Sequence, residues 1–292
     1  MERLIGSVLH PTDFSEGSKI AFYHSLKAAL QARSGLTLLH VSTDGGSAWS
    51  DFPGVRETLE KWGLLEKGSP KAAVMNLGID VRKTIARKRN PVKAVLEYLD
   101  EHPAELIVLA THQRHGAARW LNSSVAEPIS RHATEMTLFI SGESRGFVSA
   151  DDGSVSLQNI LVPIALTPRA QPALEAAARL VKSFGCDEGT FHLLHVGDRG
   201  SAPAVRTPEV QSWEWQQDVR GGEVIQAIID ASEETQADLI VMATDGRDGF
   251  LDGLRGSHSE RVVRLAGVPL LTVPVGSFVS ESINSQLADP SS

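Results

Sequence analysis

The clearest chemistry in this chain lies in the run Ala243-Thr244-Asp245-Gly246-Arg247-Asp248-Gly249-Phe250-Leu251-Asp252-Gly253-Leu254-Arg255-Gly256-Ser257. Its glycines let the backbone take positive φ and turn N–H groups outward. Gly256-Ser257 then opens a helical pattern, Glu260-Arg261-Val262-Val263-Arg264-Leu265, whose first turn has unpaired N–H groups and a partial positive charge. That combination suits phosphate oxygens. No Gly-Lys-Ser/Thr follows, so this is not a Walker A loop. On spacing alone, a plain loop ending in a Ser N-cap fits slightly better than an anion cradle. Asp245, Asp248 and Asp252 face Arg247 and Arg255 in the loop's charge balance. A triphosphate would need both arginines turned inward, or a divalent ion bridging to an aspartate.

Other constellations are weaker. His112-Gln113-Arg114-His115 offers two imidazoles in a loop, but with no cysteine or carboxylate beside them it makes a poor metal site. Arg114 and Arg119 could hold a small anion there. His192 and His195 stand three apart on a predicted strand and point to opposite faces, so they cannot chelate one metal. Ser257-His258-Ser259 is better read as a helix cap than as a nucleophile with its base, because adjacent helical residues do not face each other. Cys186 lies beside Asp187 and Glu188, which disfavours a thiolate. No catalytic or metal-binding residue is assigned. Slow ATP hydrolysis or self-phosphorylation would have only Asp245 as an evident base.

The elements that must position these residues follow from the rest of the chain. At 292 residues, 41% hydrophobic and 22% charged, it has material for about two ordinary globular domains. A single cysteine excludes an internal disulfide, and no apolar run reaches the roughly 18 residues of a membrane span. The expectation is a cytoplasmic protein with no membrane association. Net charge is −8, with 18 basic and 16 acidic residues in 1–150 against 10 and 20 in 151–292. Neither half has the positive field that nucleic-acid binding requires.

The chain also repeats itself. Leu38-Leu39-His40-Val41 matches Leu193-Leu194-His195-Val196, and Glu105-Leu106-Ile107-Val108-Leu109-Ala110-Thr111 matches Asp238-Leu239-Ile240-Val241-Met242-Ala243-Thr244. His10-Pro11 aligns with Val162-Pro163, and Ser123-Ser124 with Gly256-Ser257. Four blocks in one order indicate a duplication. Apolar runs at 4–10, 36–41, 81–86, 105–110 and 136–141 recur at 159–164, 190–196, 213–219, 238–243 and 270–275, with helical periodicity between them. This predicts two tandem α/β domains, 1–142 and 158–277, each an open parallel sheet with helices on both faces. Residues 143–157 read as a polar linker and 278–292 as a polar tail.

Between its second and third strands the first copy has about 39 residues (42–80), the second about 16 (197–212). Val55, Leu59, Trp62 and Leu65 in the longer segment predict an added helix, preferred over a lid or partner surface. Arg82-Lys83-Thr84-Ile85-Ala86-Arg87-Lys88-Arg89 reads as a charge-guarded edge strand rather than an acidic-partner patch. Trp213 and Trp215 share one strand face and read as core or interface aromatics.

These residues resemble the universal stress protein family, in its tandem two-domain form, over nearly the whole chain. The resemblance implies a Rossmann-like fold of the adenine nucleotide alpha hydrolase-like type, a stress-response role and binding of ATP or another adenine nucleotide, with or without magnesium. The family's loop, Gly-x2-Gly-x9-Gly-Ser/Thr after strand four, maps onto Ala243, Gly246, Gly256 and Ser257, with alanine at the first glycine. Met242 and Arg247 complete that expected site. In the first copy the loop falls on Ala110, Gln113, Ser123 and Ser124, without a glycine. The family's adenosine-side aspartate maps onto Asp13 and Ala165, and its adenine-contacting valine onto Val41 and Val196. The first copy therefore keeps a carboxylate without a cradle, and the second a cradle without a carboxylate. A lost carboxylate hydrogen bond costs about 1.5–3 kcal/mol, so the second copy is expected to bind weakly and the first not at all. The resemblance also implies that last strands pair domains, making the chain a pseudo-dimer with room for further homodimerisation. Two functions stand open: non-catalytic nucleotide binding, mainly in the second domain, or a nucleotide-free scaffold that binds a protein partner.

Overall fold

The computed structural model describes residues 5–42, 49–88, 90–111, 135–141, 146–245, 261–262 and 265–276. The chain divides into two compact units, residues 1–129 with 138–156 and residues 130–137 with 157–292.

In the first unit, β1 (Ser7–Thr12) leads into α1 (Glu16–Ala32) and β2 (Gly35–Ser42). A short 3-10 turn (Trp49–Asp51), α2 (Val55–Lys61) and α3 (Lys71–Asn76) precede β3 (Asp80–Arg87). Then come α4 (Pro91–Glu101), β4 (Leu106–Thr111) and β5 (Met136–Ser141). The strand order is β3-β2-β1-β4-β5. β1 lies parallel to both β2 and β4, and β2 parallel to β3.

The second unit repeats the plan with β6 (Asn159–Pro163), α5 (Gln171–Phe184), β7 (Gly189–Val196) and β8 (Trp213–Arg220). It continues with α6 (Val224–Glu234), β9 (Leu239–Thr244) and β10 (Leu270–Pro274). Its order is β8-β7-β6-β9-β10, with β6 parallel to β7 and β9, β7 parallel to β8, and β9 parallel to β10.

Local chemistry sets these boundaries. Ser15 caps α1 by accepting from the Ser18 N–H at 3.3 Å, and Asn90 caps α4 by accepting from the Lys93 N–H at 3.1 Å, with Pro91 at the first helical position. Gly185, at φ 66°, ends α5 in the left-handed conformation that glycine takes without a Cβ penalty. β4 and β5 are buried at every residue, which is why they read as unbroken apolar runs. β3 is exposed along most of its length and carries Asp80, Arg82, Lys83 and Arg87 on the edge of its sheet. That agrees with a charge-guarded edge.

The added segment forms two short helices rather than one. Gly63, at φ 71°, breaks the run after Trp62, and the N–H groups of Leu64 and Leu65 both turn back to the Leu59 carbonyl. Val55, Leu59 and Trp62 are buried as their spacing predicts.

Residues 146–156, polar in composition and read from sequence as linker, form a tight hairpin on the first unit. Ser149 donates its N–H to the Ser154 carbonyl at 2.9 Å, and Val148 bridges Val155. Phe147 and Val148 are 1% and 3% exposed. His24 of α1 donates from Nδ1 to the Ile20 carbonyl at 2.8 Å, and its Nε2 accepts the N–H groups of Phe147 (3.0 Å) and Val148 (3.2 Å). Burial holds the His24 pKa down to about 4, so the neutral ring that this geometry needs is the stable one.

Candidate functional site

In both units the central strand parts from its inner neighbour part-way along. β1 pairs with β4 only at Val8↔Leu106 and Leu9↔Ile107, while its ladder with β2 runs on to Thr12↔His40. β6 pairs with β9 only at Ile160↔Leu239 and Leu161↔Ile240. Beyond those points the strands diverge where the strand order reverses, which opens a crevice at the carboxyl ends. Pro11 and Pro163 lie beyond the split, where a missing N–H breaks no ladder bond to β4 or β9.

The two mouths are furnished differently. In the first, His10 reaches across the divergence and donates from Nδ1 to the Val108 carbonyl at 2.9 Å. It is fully buried, and desolvation lowers its pKa to about 4 against the opposing pull of the Val108 carbonyl. Asp13 follows β1, and its Oδ1 accepts from the Ser15 N–H (3.0 Å) and the Ser18 hydroxyl (2.8 Å). That oxygen is thus engaged by the start of α1. Phe14, at φ 64°, lays its ring on His40 with centroids 4.0 Å apart and planes 12° apart. Trp49 meets Phe14 edge-on at 5.0 Å, and Phe52 lies 5.3 Å away. His40 is fixed from behind by donating to the Thr12 carbonyl at 2.9 Å. Val41 is 1% exposed, within the sheet rather than at an open wall.

In the second mouth, Val162 and Ala165 stand where the first has His10 and Asp13. Leu166, which follows β6 as Phe14 follows β1, is 69% exposed and Ala165 is also exposed. His195 is held between the Ile164 carbonyl (3.3 Å) and the Ser201 hydroxyl (3.0 Å). Val196 is half-buried at the end of β7; Met242 is 9% exposed, and Ala243 and Thr244 are half-buried at the end of β9. These residues line the carboxyl edge that the sequence singles out. Gly246, Arg247, Gly256 and Ser257 lie outside the described residues, as do His112 to Ser124, His258 and Arg89.

The aromatic cluster of Phe14, His40, Trp49 and Phe52 is absent from the sequence expectations. The available signal was a bulky residue directly after Asp13, followed by two aromatics within the added segment. Trp213, at 6% exposure, and Trp215 pack on Phe191 at 4.6 and 4.1 Å, as core aromatics. His192 and His195 find separate partners, Asn159 and Ser201. Among the described residues no group of three His, Cys, Asp or Glu side chains is placed to hold a metal ion, and no helix is long and apolar enough to cross a membrane.

A fold of two open parallel sheets, each split at its first strand, defines an α/β protein whose strand order reverses beside that first strand. The pattern of the universal stress protein family matches residues 5–141 and 156–274, and the chain belongs to that family as a tandem of two such domains. Among solved structures, a universal stress protein from Archaeoglobus fulgidus is similar at 20% identity and TM-score 0.59, covering 94% of this chain and 100% of that one. A functionally unknown protein from Pseudomonas aeruginosa is similar at 13% identity and TM-score 0.60, covering 97% and 98%. A putative universal stress protein from the same species gives 12% and 0.56, covering 98% of each chain. These likenesses carry the fold. No curated protein matches the chain.

Proposed function

We propose that the chain binds an adenine nucleotide non-catalytically in the crevice of its second unit, while the first crevice is closed by its own side chains. The carrying observation is the contrast between Phe14, stacked on His40, and Leu166, turned out to solvent beside an exposed Ala165. The second mouth offers Val196, Met242 and Ala243 as walls for a base, and Ala243…Gly246…Gly256-Ser257, with Arg247, supplies the phosphate-binding pattern. In the first, one oxygen of Asp13 is already engaged by the start of α1, and Val41 would have to give up its burial before meeting a ligand. Calorimetry with millimolar ATP, ADP and AMP, each with magnesium, tests the reading. Heat of binding that weakens in Gly246→Gln supports it, and no heat with any of the three overturns it.

A scaffold role is the second reading, favoured by that same closure of the first mouth. It assigns partner binding to the basic edge of β3, where Arg87 is exposed. Partner capture lost in an Arg87→Glu, Arg89→Glu double variant and kept in Gly246→Gln would favour it over nucleotide binding.

A further inference from the structure

His195, near the end of β7, has both ring nitrogens engaged. Its Nδ1 lies 3.3 Å from the Ile164 carbonyl and its Nε2 3.0 Å from the Ser201 hydroxyl. A carbonyl only accepts, which places the ring proton on Nδ1 and leaves a bare lone pair on Nε2 facing Ser201. The orienting residue is itself fixed, since the Ile164 N–H donates to the Leu194 carbonyl at 2.8 Å. His195 is buried, at 7% exposure, whereas Ser201 is exposed. A base aligned by a third group and set against a reachable hydroxyl is the arrangement that activates a serine.

The single hydroxyl proton of Ser201 has two acceptors, His195 Nε2 at 3.0 Å and the Asp198 carbonyl at 2.8 Å. That carbonyl also accepts the Ser201 N–H at 2.9 Å, so it stays paired when the hydroxyl turns to the imidazole. Gly197 keeps the pair uncovered. Its backbone has φ 152° and its N–H is pinned to the Arg220 carbonyl at 2.8 Å. A Cβ at this position would sit 3.0 Å from His195 Nε2 and 3.2 Å from Ser201 Oγ. In the first unit His40 makes the matching bond to the Thr12 carbonyl, but the Phe14 ring lies on its face.

We propose that Ser201 and His195 form a nucleophilic dyad that takes an acyl group from an activated carboxylic ester. Ser201 Oγ bonds to the carbonyl carbon while the ester C–O bond breaks, its electron pair leaving on the departing oxygen. The hydroxyl proton passes to His195 Nε2, which then gives it to that oxygen. The products are acyl-Ser201 and the free alcohol, with the imidazole neutral again. This chemistry is separate from nucleotide binding and does not depend on it.

The probe is 4-nitrophenyl acetate added to the full chain, with nitrophenolate release followed by absorbance and the acetylated residue located by peptide mass spectrometry. The proposal expects an acetyl group on Ser201, formed well ahead of any on Ser154, an exposed serine whose hydroxyl donates to Asp152 instead of an imidazole. Ser201→Ala removes that adduct and the nitrophenolate released with it, and Ser154→Ala leaves both unchanged. His195→Gln slows acetylation of Ser201 by about a hundredfold or more. Gly197→Ala, which crowds both atoms of the pair, slows it by about tenfold or more. Urea midpoints identify a variant that fails to fold; should buried His195 not tolerate glutamine, Gly197→Ala at its exposed position carries the test. Acetylation of Ser201 no faster than that of Ser154, or an undiminished rate in folded His195→Gln or Gly197→Ala, would overturn the proposal.

Discussion

Phe14 lies on His40 with ring centroids 4.0 Å apart, and this contact separates the two halves of a duplicated chain. The ring occupies the mouth of the first crevice and is held at the unfavourable φ of 64° by the packing around it. In the second unit the matching Leu166 contributes no such cover.

The Phe14 position therefore has two opposed energetic parts. Ring removal loses aromatic packing, whereas glycine relieves about 1 kcal/mol of positive-φ strain that alanine retains. Phe14→Gly should be less destabilised than Phe14→Ala by about 1 kcal/mol in urea unfolding. Equal stabilities would show that the backbone at 14 relaxes.

Acid should loosen the first unit through His10 and His24. Both have folded-state pKa values near 4, below the unfolded 6.5, so the unfolded chain takes up these protons first. Their stabilisation is complete above about pH 6.5 and drains away as pH falls toward 4, by up to roughly 3 kcal/mol each. Denaturant unfolding across that window should show the slope, and His24→Gln should reduce it. An undiminished slope in that variant would assign it elsewhere.

The hairpin at 146–156 depends on two glycines with left-handed backbones. A Cβ at Gly146 would collide with the buried His24 ring, and one at Gly153 would sit 2.5 Å from the Trp62 ring. Gly146→Ala should cost more than the strain alone, about 2 kcal/mol or more, and expose the hairpin to limited proteolysis. Gly63→Ala, with nothing near its Cβ, should cost only the strain, about 1 kcal/mol. Matching losses and matching cleavage would count against the docking role of His24.

The sheet was legible because its inner strands are continuous apolar runs. Leu106–Thr111 and Met136–Ser141 sit within a residue of where the pattern puts them. β1 begins later than its apolar run suggests and continues through Pro11, because its ladder to β4 has already ended. Composition hid the hairpin: Gly, Ser and Asp suggest a linker, yet His24 holds two of its N–H groups from 123 and 124 residues away. The aromatic mouth was hidden for a similar reason. Nothing local announces that Phe14 adopts a left-handed backbone and turns onto a histidine two elements later.

The unequal mouths are tested most directly by counting nucleotide bound per chain, using equilibrium dialysis of labelled ATP with magnesium at saturating concentration. One nucleotide per chain, lost in Gly246→Gln and kept in Asp13→Ala, is the predicted result. Two per chain, or one that survives Gly246→Gln and disappears in Asp13→Ala, would contradict it.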